Sequence, residues 1–156
     1  LWPRRPSFVW GSSSTRARLF DGDGSVTYGH YSNFPDRIIV DVISSSKSFL
    51  HEFGMRLTHA IGLITKVHAH GNTYTLRYGC AESVALYRYM YTDGFCLQRK
   101  KDKFEAYLVK KGQDWCLRTC NLCGSKFTVL HDKSYRCWDC KKRLKHAEQD
   151  MAQAAA

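Results

Sequence analysis

The most informative part of this sequence is Leu19-Phe20-Asp21-Gly22-Asp23-Gly24-Ser25-Val26. Its two aspartates are bracketed by glycines, and this pattern predicts a sharp acidic turn because glycine supplies unusual backbone angles while aspartate bonds nearby amides. A calcium loop starting at Asp21 would need a glutamate at its twelfth position, where this chain has Ser32. We therefore discount calcium and expect a turn that presents acidic side chains.

Two runs that alternate between apolar and polar residues follow the turn, at residues 25–31 and 37–43. Turn-forming residues separate the two runs, so we predict a β-hairpin. Ser45 or Ser46 then caps a helix whose apolar residues fall on one face, and Gly62 ends this helix. The sequence up to this point predicts a hairpin followed by a helix.

A second hairpin is predicted over residues 63–70 and 73–78, with Gly71-Asn72 as its turn. Helical patterns follow at residues 82–91 and 104–111. A short helix also precedes the acidic turn. The predicted order is therefore helix, hairpin, helix, hairpin, helix, which belongs to the α+β class.

This order, together with the acidic turn, resembles the LAGLIDADG homing endonucleases, whose single-motif subunits have the same layout. The resemblance covers roughly residues 15–111 and is carried by three segments: residues 19–26, Tyr-Arg-Tyr-Met-Tyr-Thr-Asp at 87–93, and Leu-Gln-Arg-Lys-Lys-Asp-Lys-Phe at 97–104. It implies an α-β-β-α-β-β-α domain whose four-stranded antiparallel sheet binds double-stranded DNA.

The resemblance also assigns roles to individual residues. In this family the last acid of the motif binds the catalytic cation, which places that role on Asp23 and makes the Gly22 carbonyl a further Mg²⁺ ligand. A hard oxygen site suits Mg²⁺, which keeps coordination positions for a phosphate and an attacking water. Family members also place a lysine beside the scissile phosphate, and the matching segment makes Lys100 the first candidate and Arg99 the second. Lys47 is a third candidate, and a solvated basic face is the alternative for the whole basic run.

One part of the motif departs from the family. Its helix normally begins with Leu-Ala-Gly, which lets two helices cross closely, whereas the matching residues here are Arg16, Ala17 and Arg18. Two arginines buried without partners at a crossing would be costly. Self-association through this helix, and cleavage itself, are therefore open. Because one acidic motif must serve two DNA strands, the resemblance implies a homodimer or a pairing with a second LAGLIDADG motif.

The predicted strands have one polar, partly basic face. A two-stranded or larger antiparallel ribbon with such a face can enter the major groove of DNA. An ordinary solvated sheet face is the alternative for any single residue, because half-buried strands always show polar residues outward. The alternation predicts that the outward, DNA-facing residues are Thr27, Tyr31, Arg37, Asp41, Lys66, His68, His70, Thr73, Thr75 and Arg77.

Two cysteine pairs, Cys120-Asn-Leu-Cys123 and Cys137-Trp-Asp-Cys140, are separated by thirteen residues. Four thiolates at this spacing predict a structural, tetrahedral Zn²⁺ site. Redox pairs and disulfides are the alternatives, but the chain lacks a thioredoxin-like context and its total of 7 cysteines is odd. Short strands at residues 126–130 and 134–136 would complete a zinc ribbon.

The zinc ribbon is also rich in basic side chains. We expect these side chains to extend the contact with DNA along the phosphates, and a protein-binding role is the alternative. The residues expected to make this contact are Arg118, Lys126, Lys133, Arg136, Lys141, Lys142 and Arg143.

Charge and composition limit the class of partner. The chain has 24 lysines and arginines against 14 acidic residues, a net charge of +10, so a polyanion is a natural partner, although a solvated basic surface is the alternative. No run approaches the roughly 18 apolar residues of a membrane span, so we expect no membrane partner. The closely paired cysteines favour metal in a reducing compartment inside the cell. With DNA as the expected partner, we expect this compartment to contain DNA and to be either an organelle or a prokaryotic cytoplasm.

These observations divide the chain into an N-terminal arm (residues 1–14), a LAGLIDADG-like domain (15–112), a zinc ribbon (113–145) and a tail (146–156). The expected function is a site-specific, Mg²⁺-dependent double-strand DNA endonuclease of the homing type, with structural Zn²⁺. The alternative is a nucleic-acid-binding protein of the same fold that does not cut, such as an intron maturase or a transcription regulator. A zinc-ribbon assembly factor without a DNA role would leave the basic strand faces unexplained.

Overall fold

The predicted hairpins form one four-stranded antiparallel sheet. The computed structural model describes residues 20–31, 34–91, 96–130 and 135–154. Its first four strands are β1 (Gly24–Tyr31), β2 (Phe34–Ser44), β3 (Val67–His70) and β4 (Thr73–Tyr78). They lie in the order β1-β2-β4-β3, which joins the two hairpins through β2 and β4. The strand predicted to start at residue 63 starts at Val67.

Helices cover one face of this sheet. Residues 20–23 are helical and lead into β1. Helix α1 (Lys47–Ile61) packs on β2 and β4, α2 (Cys80–Met90) packs on β2, and α3 (Gln98–Lys111) packs on β1 and β2. The α+β class and the order helix, hairpin, helix, hairpin, helix are thereby confirmed. Within the described ranges, no helix is both long enough and apolar enough to cross a membrane.

Helix α1 begins and ends at the residues that local chemistry favours. The Ser46 hydroxyl accepts a hydrogen bond from the backbone N–H of Phe49 at 3.2 Å, which satisfies a free donor of the first turn. Gly62 follows the last turn with φ of 76°, a left-handed conformation that glycine adopts at low cost. Between these ends, Leu50 and Leu57 are fully buried against the sheet.

Helix α3 starts earlier than its apolar residues predict. The helix predicted for residues 104–111 begins at Gln98, so the basic run at 99–103 forms its first turns. Phe104, Tyr107 and Leu108 are buried, and Lys100 precedes Phe104 by one helical turn on the same face. A hydropathy pattern misses this turn because a lysine occupies the buried position.

The cysteine-rich module contains a different strand pair from the predicted one. Strand β5 (Leu117–Thr119) pairs with β6 (Lys126–Thr128), and the residues 135–136 of the predicted second strand are not in a strand. The first cysteine pair lies in the connection of this hairpin, where the Gly124 N–H donates to the Cys120 carbonyl at 2.9 Å. Helix α4 (Trp138–Ala154) starts inside the second cysteine pair and runs past residue 145.

Several predictions concern residues outside the described ranges. These are the N-terminal arm at residues 1–14, the motif residues Arg16, Ala17 and Arg18, and Lys133. The side chain of Tyr31 also lies outside the description. Their predicted roles stay predictions.

Candidate metal centres and nucleic-acid interface

Lys100 holds the acidic turn in place through hydrogen bonds from its ammonium group. Its ammonium donates hydrogen bonds to the carbonyl oxygens of Phe20 at 2.8 Å, Asp21 at 2.9 Å and Gly24. These carbonyls lie at the C-terminal end of the helical turn at residues 20–23. A cation at this end satisfies them and interacts favourably with the helix dipole. An ammonium has three N–H donors, so all three donors of Lys100 are used.

The surroundings of Lys100 agree with this fixed position. Lys100 is only 4% exposed, and its ammonium lies 4.7 Å from the centroid of the Phe20 ring. Burial lowers the pKa of this lysine, and the nearby Asp21 carboxylate acts in the opposite direction. Lys100 thus lies on the buried side of the acidic turn, whereas the residues predicted to hold Mg²⁺, Gly22 and Asp23, lie on its exposed side.

Asp21 is tied to two segments that come much later in the chain. Its carboxylate accepts hydrogen bonds from the Tyr91 hydroxyl at 2.6 Å and from the Leu97 backbone N–H at 2.9 Å. Burial and the hydrogen bond to Asp21 raise the pKa of Tyr91, so the tyrosine stays a donor near neutral pH. Asp21 therefore orders the turn, and both of its oxygens are engaged.

Asp23 differs from Asp21 in this respect. Its side chain is exposed, and among the described residues its carboxylate has no hydrogen-bond or ion-pair partner. Gly22 beside it is exposed as well. A free carboxylate next to a backbone carbonyl offers the hard oxygen donors that Mg²⁺ prefers, and Mg²⁺ commonly binds through one or two carboxylates while keeping several waters. The residues at this position therefore fit a Mg²⁺ ion.

Glycine is required at position 24 for a steric reason. A Cβ there would lie 2.5 Å from ring atoms of Phe20 and 2.5 Å from the Phe20 carbonyl oxygen. Two further basic residues lie in the first turns of α3. Arg99 is exposed, and the Lys103 ammonium donates to the Val26 carbonyl at 2.6 Å. The sequence did not single out Lys103, although it lies three residues after Lys100 on the same face of the helix.

The outward face of the sheet carries most of the residues that were predicted to face DNA. Val26, Val40 and Leu76 point into the core, so the residues that alternate with them point away from the helices. Lys66 is exposed just before β3. The residues that the structure places on this outward face are Thr27, Arg37, Asp41, His68, His70, Thr73, Thr75 and Arg77.

Asp41 and Arg77 form an ion pair at the centre of this face. They are direct cross-strand partners on β2 and β4, and Arg77 donates from Nε at 2.7 Å and from Nη2 at 3.1 Å to the two carboxylate oxygens. The pair leaves the Arg77 side chain 63% exposed. A groove of about 370 Å³ runs beside it and is lined by His68, His70 and Thr75 among others.

Lys47 does not share this face. Its ammonium lies 6.0 Å from the centroid of the Tyr74 ring, and Tyr74 packs against the core on the helix side of the sheet. Lys47 is exposed at the start of α1, away from the outward residues of the strands.

The four paired cysteines converge at one point. The sulfur atoms of Cys120, Cys123, Cys137 and Cys140 all lie within 4.8 Å of one another. Four thiolates placed about 2.3 Å from a common Zn²⁺ at tetrahedral angles lie about 3.8 Å apart, so this set fits zinc after a small contraction. The Cys137 backbone N–H donates to the Cys120 sulfur at 3.3 Å, and this bond, together with backbone hydrogen bonds from Leu122 and Cys123, lowers the pKa of the Cys120 thiol to about 6 against the opposing effect of burial. Such a thiol releases its proton readily when a metal ion binds its sulfur.

The cysteine module is docked on the helix layer. The Trp138 indole N–H and the Lys142 ammonium both donate to the His59 carbonyl at the end of α1, at 3.1 and 3.2 Å. Gly62 lies against the Trp138 ring, where a Cβ would come within 2.9 Å of ring atoms. The docking therefore depends on a residue inside the second cysteine pair.

A second contact joins the module to α2. The Arg88 guanidinium donates to the Thr128 hydroxyl and to the carbonyls of Gln113 and Trp115, each at 3.0 Å. Burial lowers the pKa of Arg88, but arginine stays charged at any physiological pH. One side chain of the helix layer thus fixes three points of the module.

The basic residues predicted to contact phosphates are distributed over the module. Lys126, Arg136, Lys141 and Arg143 are exposed. Arg118 lies 5.5 Å from the centroid of the Tyr135 ring, and Arg143 donates to the Cys140 sulfur at 3.3 Å. Lys142 is partly engaged, because it bonds the His59 carbonyl and pairs with Asp139 at 3.1 Å.

Comparison with known proteins finds similarity only among solved structures. No family model matches the chain, and no curated protein matches its sequence. The LAGLIDADG meganuclease I-AabMI bound to uncleaved DNA is similar over 63% of this chain, with 13% identity and a TM-score of 0.47. The LAGLIDADG homing endonuclease I-GzeII in complex with its DNA target is similar over 65%, with 12% identity and a TM-score of 0.48.

A third similar structure is the homing endonuclease I-TnaI, which matches 67% of this chain with 11% identity and a TM-score of 0.46. The matched region makes up 77% of the I-TnaI chain, but only 37% of the I-AabMI chain and 36% of the I-GzeII chain. The present chain thus spans little more than a third of the length of two of the LAGLIDADG structures that it resembles.

Proposed function

We propose that this chain binds double-stranded DNA with the outward face of its four-stranded sheet and hydrolyses phosphodiester bonds with a Mg²⁺ ion held at Asp23. The observation that carries the proposal is the division of roles in the acidic turn. Asp21 and Lys100 are fully engaged in holding the turn, while the Asp23 carboxylate is exposed and has no partner among the described residues. A turn fixed this firmly around one free carboxylate is suited to metal binding.

In this mechanism Asp23 and the Gly22 carbonyl would hold Mg²⁺. The bound ion would supply Lewis acidity toward the phosphate and lower the pKa of the attacking water. Asp21 keeps the turn in place through Tyr91 and Leu97. Arg99, exposed on the first turn of α3, is the cation available to neutralise charge on the phosphate.

We assign Lys100 a positioning role in this proposal. Its ammonium could reach a phosphate only by giving up a carbonyl of the turn, because its three donors are already used. Lys100 would therefore act through the geometry of the metal site, without touching the scissile phosphate.

Double-strand cleavage would require two acidic turns. We propose that a second copy of the chain, or a second LAGLIDADG motif, supplies the other turn, since one Asp23 serves one strand. The zinc module would help by stabilising the helix layer and by placing exposed basic residues such as Lys126 and Arg136 near DNA phosphates.

A second candidate function is nucleic-acid binding without cleavage, as in an intron maturase or a transcription regulator. The full engagement of Lys100 favours it, because no donor of this lysine is left for a scissile phosphate. The polar and basic outward face of the sheet would serve this function equally well.

The decisive experiment is to incubate the protein and Mg²⁺ with a library of duplex DNA and to sequence the cut ends. Asp23→Asn removes the metal-binding charge and should abolish recurrent staggered cuts while leaving duplex affinity within about threefold of wild type. Asp150→Asn is the matched control, because Asp150 is also exposed but lies on α4. Binding enrichment without cuts in the wild type would reject cleavage and support the second function, whereas absence of any duplex binding would reject both.

A further inference from the structure

A small cleft lies where the cysteine module meets the end of α1. It has a volume of about 110 Å³ and opens between Ile61 and Ile64 on one side and Phe127, Leu130 and Trp138 on the other. Arg136 and Lys141 also line it, and both are exposed. The cleft thus combines an apolar, partly aromatic floor with a cationic rim, a combination that neither the sheet face nor the acidic turn offers.

The size and chemistry of the cleft restrict what it can hold. Sites that enclose a whole cofactor or drug-sized ligand measure roughly 300–1,000 Å³, so this cleft accommodates one ring system. Aromatic and aliphatic side chains at its floor suit the face of a planar ring, while the two cations suit a phosphate attached to that ring. An unpaired nucleotide has both parts in one unit.

Ile64 is accessible to a ligand in the cleft. It is 71% exposed at the lip of the cleft, so its side chain can contact a bound ring. Bases of an intact duplex are stacked within the helix, whereas an unpaired base can turn outward and stack on a protein surface. We infer that the cleft between α1 and the cysteine module binds one unpaired nucleotide of a nucleic-acid strand, with its base on the apolar floor and its phosphate between Arg136 and Lys141.

This inference rests on the nucleic-acid-binding part of the proposed function and adds a second contact site to it. Both single-stranded DNA and RNA can supply the unpaired nucleotide. The test uses four fluorescent probes at one salt concentration, because phosphate contacts weaken steeply with salt. The probes are a blunt DNA duplex, the same duplex with a single-stranded DNA tail, the same duplex with an RNA tail, and the free single-stranded DNA tail.

We expect the wild-type chain to bind a tailed duplex about tenfold more tightly than the blunt duplex, the typical effect of one stacked base. Ile64→Glu should remove this advantage, because it places a carboxylate at the lip of the cleft. Val109→Glu is the matched control, since Val109 is 74% exposed on α3 and the substitution changes the charge equally. The two variants should bind the blunt duplex equally well.

A second matched pair tests the phosphate contact. Lys141→Gln should lower the salt dependence of binding to the tailed duplex, whereas Lys145→Gln should not, although Lys145 is also exposed one turn further along α4. Equal affinity of the wild type for blunt and tailed probes would overturn the inference, as would equal losses in Ile64→Glu and Val109→Glu.

The outcomes separate this inference from the proposed function. The wild-type chain could fail to bind the blunt duplex and still bind the free single strand, with Ile64→Glu abolishing that binding. This result would reject the sheet as a DNA surface and support the cleft. Binding of an acidic aromatic peptide at Ile64, with no advantage for any tail, would assign the cleft to a protein partner and overturn the inference.

Discussion

Each N–H donor of the Lys100 ammonium reaches a backbone carbonyl of the acidic turn, and the side chain is 4% exposed. Lys100→Met keeps the apolar stem but leaves these carbonyls without a donor. Bonds from a charged donor contribute roughly 1.5–3 kcal/mol each, and removing the buried charge returns part of that energy. We expect a loss of about 2 kcal/mol in the free energy of unfolding, measured by urea denaturation.

Lys101→Met is the control for this experiment. Lys101 is the next residue of α3, and its partner Glu105 lies 3.5 Å away in a partly exposed pair of the kind that contributes little. We expect it to change stability by less than about 0.5 kcal/mol. If Lys100→Met leaves stability unchanged and only slows cleavage, Lys100 contacts the phosphate and the positioning role is wrong.

Local sequence patterns predict the acidic turn, whereas the different roles of its two aspartates enter only through the family resemblance, which assigns the cation to Asp23. Glycines and aspartates in alternation are a local signal, and local signals suffice for a turn. The partners of Asp21 are Tyr91 and Leu97, which follow it by 70 and 76 residues. Which carboxylate stays free is therefore decided by tertiary contacts that no short pattern contains.

At the scale of helices and strands, the elements with strong periodicity were predicted well. Both hairpins and α1 are present in the structure, including the caps at Ser46 and Gly62, although β3 starts at Val67 and not at residue 63. The start of α3 was missed because Lys100 occupies a buried position that the backbone carbonyls of another segment make favourable. Strand β5 was missed because a strand of 3 residues is too short to show alternation.

The end of α1 offers a test of how this helix and the cysteine module are joined. Gly62→Ala places a Cβ within 2.9 Å of the Trp138 ring and in a left-handed conformation with φ of 76°. We expect the melting temperature to fall by more than the backbone conformation alone explains, because the ring or the helix end must shift. Differential scanning calorimetry measures this loss directly.

Gly71→Ala isolates the contribution of the contact. Gly71 also has a left-handed φ, 58°, but a Cβ there meets nothing within 4 Å. It should cost about 1 kcal/mol, the usual penalty for a left-handed alanine, and Gly62→Ala should cost about 1 kcal/mol more. Equal losses in the two variants would mean that the Trp138 contact does not restrain the module.

In the whole molecule, side chains in and next to the second cysteine pair join the cysteine module to the helices. A metal ion bound by the cysteines would hold these side chains in position. Trp138 lies between Cys137 and Cys140 in sequence, and its indole donates to the His59 carbonyl of α1. The four converging cysteines can be predicted as candidate zinc ligands from the sequence because their spacing is local. The docking was not predicted, because Arg88, Gly62 and His59 carry no pattern that points to a partner.

This arrangement predicts that zinc stabilises more than its own module. The purified chain should contain one Zn²⁺, and its removal by a chelator should expose the backbone amides of α4 to hydrogen exchange. Because Trp138 and Lys142 bond the His59 carbonyl, exchange should also increase at the last turn of α1, while the central strand β2 stays protected.

The variant Cys120→Ser with Cys123→Ser should reproduce the effect of the chelator, since two thiolates cannot close a tetrahedral site. Cys116→Ser is the control, because Cys116 is not one of the four cysteines whose sulfur atoms converge. This variant should retain one Zn²⁺ per chain. Metal analysis and hydrogen exchange on the same samples decide the outcome. If zinc is lost while exchange at the end of α1 is unchanged, the module is an independently folded appendage, and the Trp138 contact transmits no stability to the sheet domain.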